Sequence, residues 1–289
     1  MERVTTKQKL SCLIQAVKYA LIFIICQVTV TLCLQIYAQG KVDSLGLASN
    51  TDEYNSDVSQ IVGSLSYVYV ILYALLAIGV VLFFIKAEKR SFMYEAGLKK
   101  ASLKDFLLWF VISVGATAVT LALFNMIPRD ISVVSSYVES SKVLFDSPFI
   151  LKLLGSVVMA PLCEELFFRG LIFNNLKKIM PLFVAAVFSS LIFGVLHGQI
   201  LWVAYATAFG VFLCFIVHYS RNLAAALVIH ALFNLYNIII DLLKLSVSVK
   251  IWMAVLIAGA IILAISLVTM LKGEQNCEGA QERVASEET

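Results

Sequence analysis

Residues 19–38 read YALIFIICQVTVTLCLQIYA, twenty consecutive positions without a charged side chain. A helix needs roughly 20 consecutive apolar residues to cross the hydrocarbon core of a bilayer, so this run is long enough to do so. It also exceeds the apolar stretch of about 7–15 residues found in a cleaved signal peptide. The run is therefore interpreted as a first membrane span that remains in the chain.

The composition of the whole chain agrees with this interpretation. Hydrophobic residues make up 61% of the 289 residues, charged residues make up 14%, and the mean hydropathy is +0.91. Soluble domains average about 45–50% apolar and about 25% charged residues. The sequence predicts an all-α fold, a polytopic membrane helical bundle with about eight transmembrane helices, at residues 19–38, 61–85, 106–128, 153–173, 182–198, 200–219, 223–240 and 251–271.

The charged residues predict how the chain lies in the bilayer. Lysine and arginine cluster in the connection between the second and third spans, whereas the connection before the second span is acidic and polar. Cytoplasmic loops carry an excess of Lys and Arg, so both termini are predicted to be cytoplasmic. The expected location is a bacterial plasma membrane, as a multi-pass integral protein. A net charge of +3 gives no support for a nucleic-acid partner.

The chain divides into four parts by the placing of its polar residues. Spans one to three with their loops occupy 1–147, spans that contain polar residues occupy 148–240, and the last span occupies 241–271. The polar segment 272–289 is predicted to be a disordered tail. The six cysteines include no CxxC pair, so neither a zinc ribbon nor a redox motif is predicted.

The fourth span contains the sequence CEELFFRG over residues 163–170. A charge at the middle of a bilayer costs about 2.5–3.5 kcal/mol even on the lenient insertion scale, so such residues face a bundle interior and have partners. Glu165 and Arg169 are four residues apart with the glutamate first, the favourable order for a helical ion pair. Glu164 points about 100° away, which leaves it available as a general base. The alternative interpretation is a buried ion-pair cluster that only fixes helix packing.

Two other spans add polar side chains. Phe193 and His197 lie one turn apart at the end of the fifth span, and His230 and Asn234 lie one turn apart in the seventh. His197 taken alone also fits a position at the membrane interface, near the end of its helix. The pair His230 and Asn234 taken alone also fits a packing role, because polar side chains in lipid often hydrogen-bond between helices. Together with Glu164 they supply a base, two imidazoles and an amide donor, which suffices for attack of an activated water on a peptide carbonyl.

The three motifs, taken in order, resemble the CPBP family of intramembrane proteases. The matching residues are Glu164, Glu165 and Arg169, then Phe193 and His197, then His230 and Asn234. This family includes the type II CAAX endopeptidases and the Abi proteins linked to bacteriocin processing and immunity. The resemblance covers the segment from about 148 to 240 and does not extend to spans one to three.

The resemblance implies a helical-bundle endopeptidase that cleaves membrane-proximal peptide bonds of a membrane-anchored peptide or protein. By position, Glu164 would activate water and His197 would help to hold it. His230 and Asn234 would stabilise the oxyanion, and Glu165, Arg169 and Phe193 would support the site. The family is often described as metalloproteases, and one zinc ion on Glu164, His197 and His230 is a possible cofactor. The chain has no HExxH motif, and a metal-free glutamate mechanism needs no further ligand.

Two other functions fit the same buried residues. Glutamate, histidine and asparagine within spans also form proton or cation relays in transporters, although the sequence shows no inverted repeat of the kind that many transporters have. A non-catalytic immunity or scaffold protein that keeps the fold and acts by binding is the second alternative.

Overall fold

The computed structural model describes residues 5–46, 49, 51–128, 131–136, 147–243 and 247–287, with side chains as far as residue 273. Within these residues the chain forms helices and no strand, as the predicted all-α membrane bundle requires. The helices are α1 (Thr6–Asp43), α2 (Asp52–Ser64), α3 (Ser66–Ala87), α4 (Phe92–Ala96), α5 (Leu103–Met126), α6 (residues 149–176), α7 (Leu182–Val195), α8 (Ile200–Ser220), α9 (Leu223–Leu243) and α10 (Val249–Glu287).

Local sequence signals account for several helix ends. Thr5 and Ser102 begin α1 and α5 with capping boxes, in which the hydroxyl accepts from the third backbone N–H of the helix. Helix α4 ends at Gly97, whose φ of +69° is a left-handed conformation that glycine adopts without strain. Asn222 then fixes the start of α9, because its side chain bonds both the N–H and the carbonyl of Lys99, at 3.1 and 3.0 Å.

Six helices in the described part of the chain are long and apolar enough to cross a membrane, whereas the sequence predicts about eight spans. The two remaining predicted spans are both helical. Helix α7 has 14 residues, or about 21 Å at about 1.5 Å per residue, which is shorter than a hydrocarbon core of about 30 Å. Helix α6 is interrupted by changes of helix type. The number of membrane spans therefore depends on whether α6 and α7 are counted as spans.

The last helix extends further than expected. Helix α10 runs as far as Glu287 and includes most of the segment for which a disordered tail is predicted. The disordered tail at residues 272–289 stays a prediction. The segment is polar, but its Glu, Gln, Ala and Arg residues are good helix formers. Because it continues an existing helix, it also avoids the cost of helix nucleation.

Helix α6 lies at the centre of the bundle, in contact with α1, α3, α7 and α9. Every residue from Leu166 to Phe173 is buried. Leu153–Met159 and Leu166–Phe173 are π-helical, and the α-helical stretch Ala160–Glu165 separates them. Pro161 cannot donate a backbone hydrogen bond within this stretch, and π-helical turns are frequent at functional sites. The two glutamates lie at the end of the α-helical stretch, between the two π-helical ones.

Candidate active site

The two neighbouring glutamates of α6 have different surroundings. Consecutive residues of an α-helix point about 100° apart, so Glu164 and Glu165 face different partners. The side chain of Glu165 has no exposed surface, whereas that of Glu164 is 12% exposed. The pair therefore divides into one sealed carboxylate and one that solvent or a substrate can reach.

Glu165 pairs with Arg169, as the spacing of four residues predicts. Arg169 Nη1 lies 2.8 Å from Glu165 Oε1, and both side chains are fully buried. The guanidinium carbon of Arg169 also lies 4.5 Å from the centre of the Phe193 ring, a cation–π contact between α6 and α7. Gly210 of α8 leaves room for the guanidinium, since a Cβ there would approach Arg169 Nη2 to 2.7 Å.

His230 joins the two glutamates. Its Nδ1 lies 2.7 Å from Glu165 Oε1, and its Nε2 lies 3.9 Å from Glu164 Oε2. We assign the Nδ1 proton to the bond with Glu165, because that carboxylate already faces a permanent cation and acts only as an acceptor. The other ring nitrogen then faces Glu164. This is the arrangement in which a carboxylate fixes the tautomer and orientation of a working imidazole.

Glu164 has a further partner that lies outside the predicted site. The hydroxyl of Tyr73, on α3, donates to Glu164 Oε1 at 3.2 Å. The two carboxylate oxygens of Glu164 thus face different groups, a tyrosine hydroxyl on one side and the His230 imidazole on the other. Because 3.9 Å is too long for a direct hydrogen bond, a water molecule could bridge Glu164 and His230.

His197 lies just beyond the helix rather than within it. Helix α7 ends at Val195, and the chain turns at Gly198, where φ is +74°. His197 Nδ1 lies 3.0 Å from the Phe193 carbonyl oxygen, so we assign the proton to Nδ1 and leave Nε2 free to accept. The Phe193 ring lies 4.8 Å from the His197 ring and 6.4 Å from the His230 ring, centre to centre. Phe193 thus contacts both histidines and Arg169.

Asn234 is tied to the first π-helical turn of α6. Its Nδ2 donates to the carbonyl oxygen of Ser156 at 2.8 Å. One of the two amide N–H bonds is therefore used to join α9 to α6, and the second remains for another acceptor. The expected role of Asn234 as an oxyanion donor depends on this second N–H.

The zinc site considered for Glu164, His197 and His230 stays a prediction. The described residues contain no group of three or more His, Cys, Asp or Glu side chains arranged to hold a metal ion. We therefore derive no chemical step through a metal.

Sequence patterns do not identify three of the residues that shape the site. Tyr73, Ser156 and Gly210 lie in apolar segments and belong to no motif. Tyrosine, serine and glycine are common in membrane spans, so only the packing of separate helices distinguishes these three. A buried hydroxyl needs a partner, but the sequence does not indicate which group provides it.

Comparisons with known proteins place a family domain over this site. Residues 146–236 match the family of Rce1-like type II CAAX prenyl endopeptidases. A Bacillus subtilis (strain 168) protein named "Putative membrane peptidase YdiL" is 28% identical over 92 residues, which is 32% of this chain and 38% of that relative. The chain thus covers less than half of the relative's length. No solved structure matches the chain significantly. All seven predicted site residues lie within the matched segment, whereas Tyr73 lies outside it.

Proposed function

We propose that this chain, whose residues 146–236 match the Rce1-like family, is an intramembrane endopeptidase of the CPBP type that uses water activated by Glu164. The observation that carries the proposal is the gap of 3.9 Å between Glu164 Oε2 and His230 Nε2. A water molecule in this gap would lie beside a base and an imidazole at once. Glu164 is also the partly exposed member of the glutamate pair, as a group that meets substrate must be.

The reaction would begin with transfer of a proton from the bound water to Glu164 Oε2. The water oxygen attacks the carbonyl carbon of the peptide bond, and the negative charge moves to the carbonyl oxygen. The C–N bond then breaks, and the proton held by Glu164 passes to the departing amine. A positioned general base of this kind contributes about 10²–10⁴-fold to the rate.

His230 would stabilise the oxyanion that forms when this water attacks the peptide carbonyl. With Nδ1–H bonded to Glu165, a protonated imidazole presents Nε2–H to the developing oxyanion. Glu165 and Arg169 then serve as a buried support that orients the ring and balances its charge. This division follows the triad principle, in which a buried carboxylate orients a histidine that meets the substrate.

His197 and Asn234 would complete the site. The free Nε2 of His197 can accept a hydrogen bond from the attacking water and so orient it. The second N–H of Asn234 can donate to the oxyanion beside His230. Donors aimed at a developing oxyanion each contribute about 2.7–4 kcal/mol in measured cases. The distances between these two side chains and Glu164 would shorten when substrate binds, since catalytic contacts are often long before that.

The proposed substrate is a peptide or protein anchored in the same membrane, cut near the bilayer. Six apolar spans would hold the enzyme in the bilayer, and the excess of Lys and Arg between α3 and α5 supports cytoplasmic termini. The bacterial relative supports a bacterial plasma membrane. The name of the matched family refers to prenylated CAAX tails, and Abi-type bacteriocin processing or immunity is the other role considered.

The test uses purified protein in lipid vesicles with a membrane-anchored reporter that carries a library of juxtamembrane sequences. Wild type is compared with Glu164→Ala and His230→Ala, and Glu53→Ala serves as a control because Glu53 is exposed on α2, away from the site. We expect cleavage by wild type and by the control only. Cleavage by both site variants would contradict the proposal. Proton or cation flux, or immunity, that survives in both without any cleavage would favour a transporter or a binding protein instead.

A further inference from the structure

We infer that Tyr73 of α3 is a positioning residue for Glu164, so that the N-terminal helices complete a site whose motifs all lie in residues 146–236. This inference rests on the proposed function, since it concerns the carboxylate that would activate water. Tyr73 belongs to none of the sequence motifs and lies 91 residues before Glu164 in the chain. Its hydroxyl is nevertheless the hydrogen-bond donor found on Glu164 Oε1, at 3.2 Å.

The bond decides which oxygen of Glu164 meets the imidazole. A carboxylate has two equivalent oxygens and can rotate about its terminal torsion, which is broad and roughly two-fold. Tyr73 holds Oε1, and Oε2 is then the oxygen that faces His230 Nε2. Without the tyrosine hydroxyl, the same carboxylate could rotate away from the imidazole, and a water between them would lose one of its partners.

The Tyr73 ring is itself held on several sides. It is 3% exposed, and its centre lies 5.0 Å from the Tyr69 ring and 5.7 Å from the Phe23 ring. Phe23, on α1, also packs edge to face on Phe167 and Phe168 of α6, at 5.2 and 4.9 Å. An aromatic cluster from three helices therefore fixes where the hydroxyl points, and offset or edge-to-face rings at such distances are favourable.

Helix α3 is also locked at a fixed distance from α6. Gly155, in the first π-helical turn, lies against Tyr67, and a Cβ on Gly155 would approach Tyr67 Cδ1 to 2.8 Å. Close contact on this scale leaves little freedom for α3 to slide along α6. Preorganised groups of this kind reduce the reorganisation that a reaction would otherwise require.

The alternative is that Tyr73 only fills space in the aromatic cluster. Phenylalanine would then replace it without consequence, because the ring would keep its contacts and lose only the hydroxyl. Tyr67→Phe provides the control. Tyr67 lies on the same helix, where its ring packs against Gly155, and its loss of a hydroxyl is the same chemical change.

The first measurement is steady-state cleavage of the reporter by Tyr73→Phe and Tyr67→Phe, together with their melting temperatures in detergent. Hydrogen bonds to charged groups are among the stronger ones in proteins, so we expect kcat to fall about ten-fold or more in Tyr73→Phe. KM should stay within about two-fold of wild type, and the melting temperature should not change. Tyr67→Phe should match wild type. An unchanged kcat in Tyr73→Phe, or a loss explained by unfolding, would overturn the inference.

The second measurement does not depend on activity. The infrared band of the Glu164 carboxyl group is identified as the band lost in Glu164→Gln. We expect this band to shift in Tyr73→Phe and to stay in place in Tyr67→Phe, because the Tyr73 hydroxyl bonds the carboxylate and the Tyr67 ring lies against Gly155 instead. A band that does not move would overturn the positioning role even if the protein cuts the reporter. If the wild type cuts nothing and Tyr73→Phe still shifts the band, the proposed function is contradicted and the contact between Tyr73 and Glu164 is supported.

Discussion

The two neighbouring glutamates of helix α6 are chemically identical but lie in opposite surroundings, one on a sealed side of the helix and one on an open side. On the sealed side, Glu165 and Arg169 have no exposed surface, and the Arg169 guanidinium lies against Phe193. On the open side, Glu164 is 12% exposed and faces Tyr73 and His230. The difference teaches that position on the helix, rather than residue type, separates a supporting carboxylate from one available for chemistry.

The burial of charge costs more free energy on the sealed side than on the open side. Two buried charges lose their hydration, and their attraction offsets that loss only when their geometry is good and both partners remain. Glu165 Oε2 and two nitrogens of Arg169 have no hydrogen-bond partner among the described residues. The open side loses less hydration, so changes there should affect catalysis more than folding. Three substitutions on the sealed side sharpen this contrast.

The largest stability effect is expected for Arg169→Met. The change leaves Glu165 as a buried charge that keeps His230 as its partner but loses its cation. We expect a loss of about 3–5 kcal/mol in the free energy of unfolding, measured by denaturant unfolding in micelles. The double variant Glu165→Gln with Arg169→Met should recover part of that loss, since the charge is removed while an acceptor for His230 remains.

The control for this prediction is Lys104→Met, which removes a cation from an exposed position on α5. It should change the free energy of unfolding by less than about 0.5 kcal/mol. If Arg169→Met were equally mild, the sealed pair would not be a structural support.

A smaller effect is expected for Gly210→Ala on α8. The new methyl carbon would lie 2.7 Å from Arg169 Nη2 and 2.8 Å from Ser190 Cβ. Extra volume in a packed interior costs about 1–3 kcal/mol, and thermal unfolding should show it. Gly79→Ala is the matched control, because Gly79 is an exposed helical glycine with nothing within 4 Å of a built Cβ. It should be neutral or stabilise by about 0.5–1 kcal/mol, and equal effects at both glycines would contradict the packing argument.

The smallest effect is expected for Ser189→Ala on α7. The Ser189 hydroxyl is buried and donates to the Phe168 carbonyl oxygen at 2.8 Å, which joins α7 to the second π-helical turn. Losing this bond should cost about 0.5–1.5 kcal/mol. Ser64→Ala removes an exposed hydroxyl that bonds its own helix and should cost less in the same unfolding measurement. A greater loss at Ser64 would contradict this ranking.

The sequence predicts what depends on short spacings and fails where separate helices meet. The Glu165–Arg169 bond follows from a spacing of four residues on one helix. The contact between Glu165 and His230 spans 65 residues, and it depends on the relative height of two helices, which no local pattern encodes. For the same reason, the sequence does not identify Tyr73 and Gly210 as residues of the site.

Helix type and helix length are also only partly predictable. Apolar composition locates α6 and α7, but it does not predict the two π-helical stretches of α6. Composition also does not predict that helix α10 continues as far as Glu287. The polar segment there continues an apolar helix, although its polarity alone predicts disorder.

The most direct test of the account compares two single-atom changes at neighbouring positions, Glu164→Gln and Glu165→Gln, with kcat and unfolding measured on the same preparations. The account predicts that Glu164→Gln lowers kcat by about 10²–10⁴-fold and leaves the unfolding transition in place. Glu165→Gln should lower the stability by about 3–5 kcal/mol, because Arg169 becomes an unpaired buried charge. Wild-type turnover by Glu164→Gln would contradict the central claim that Glu164 activates the attacking water.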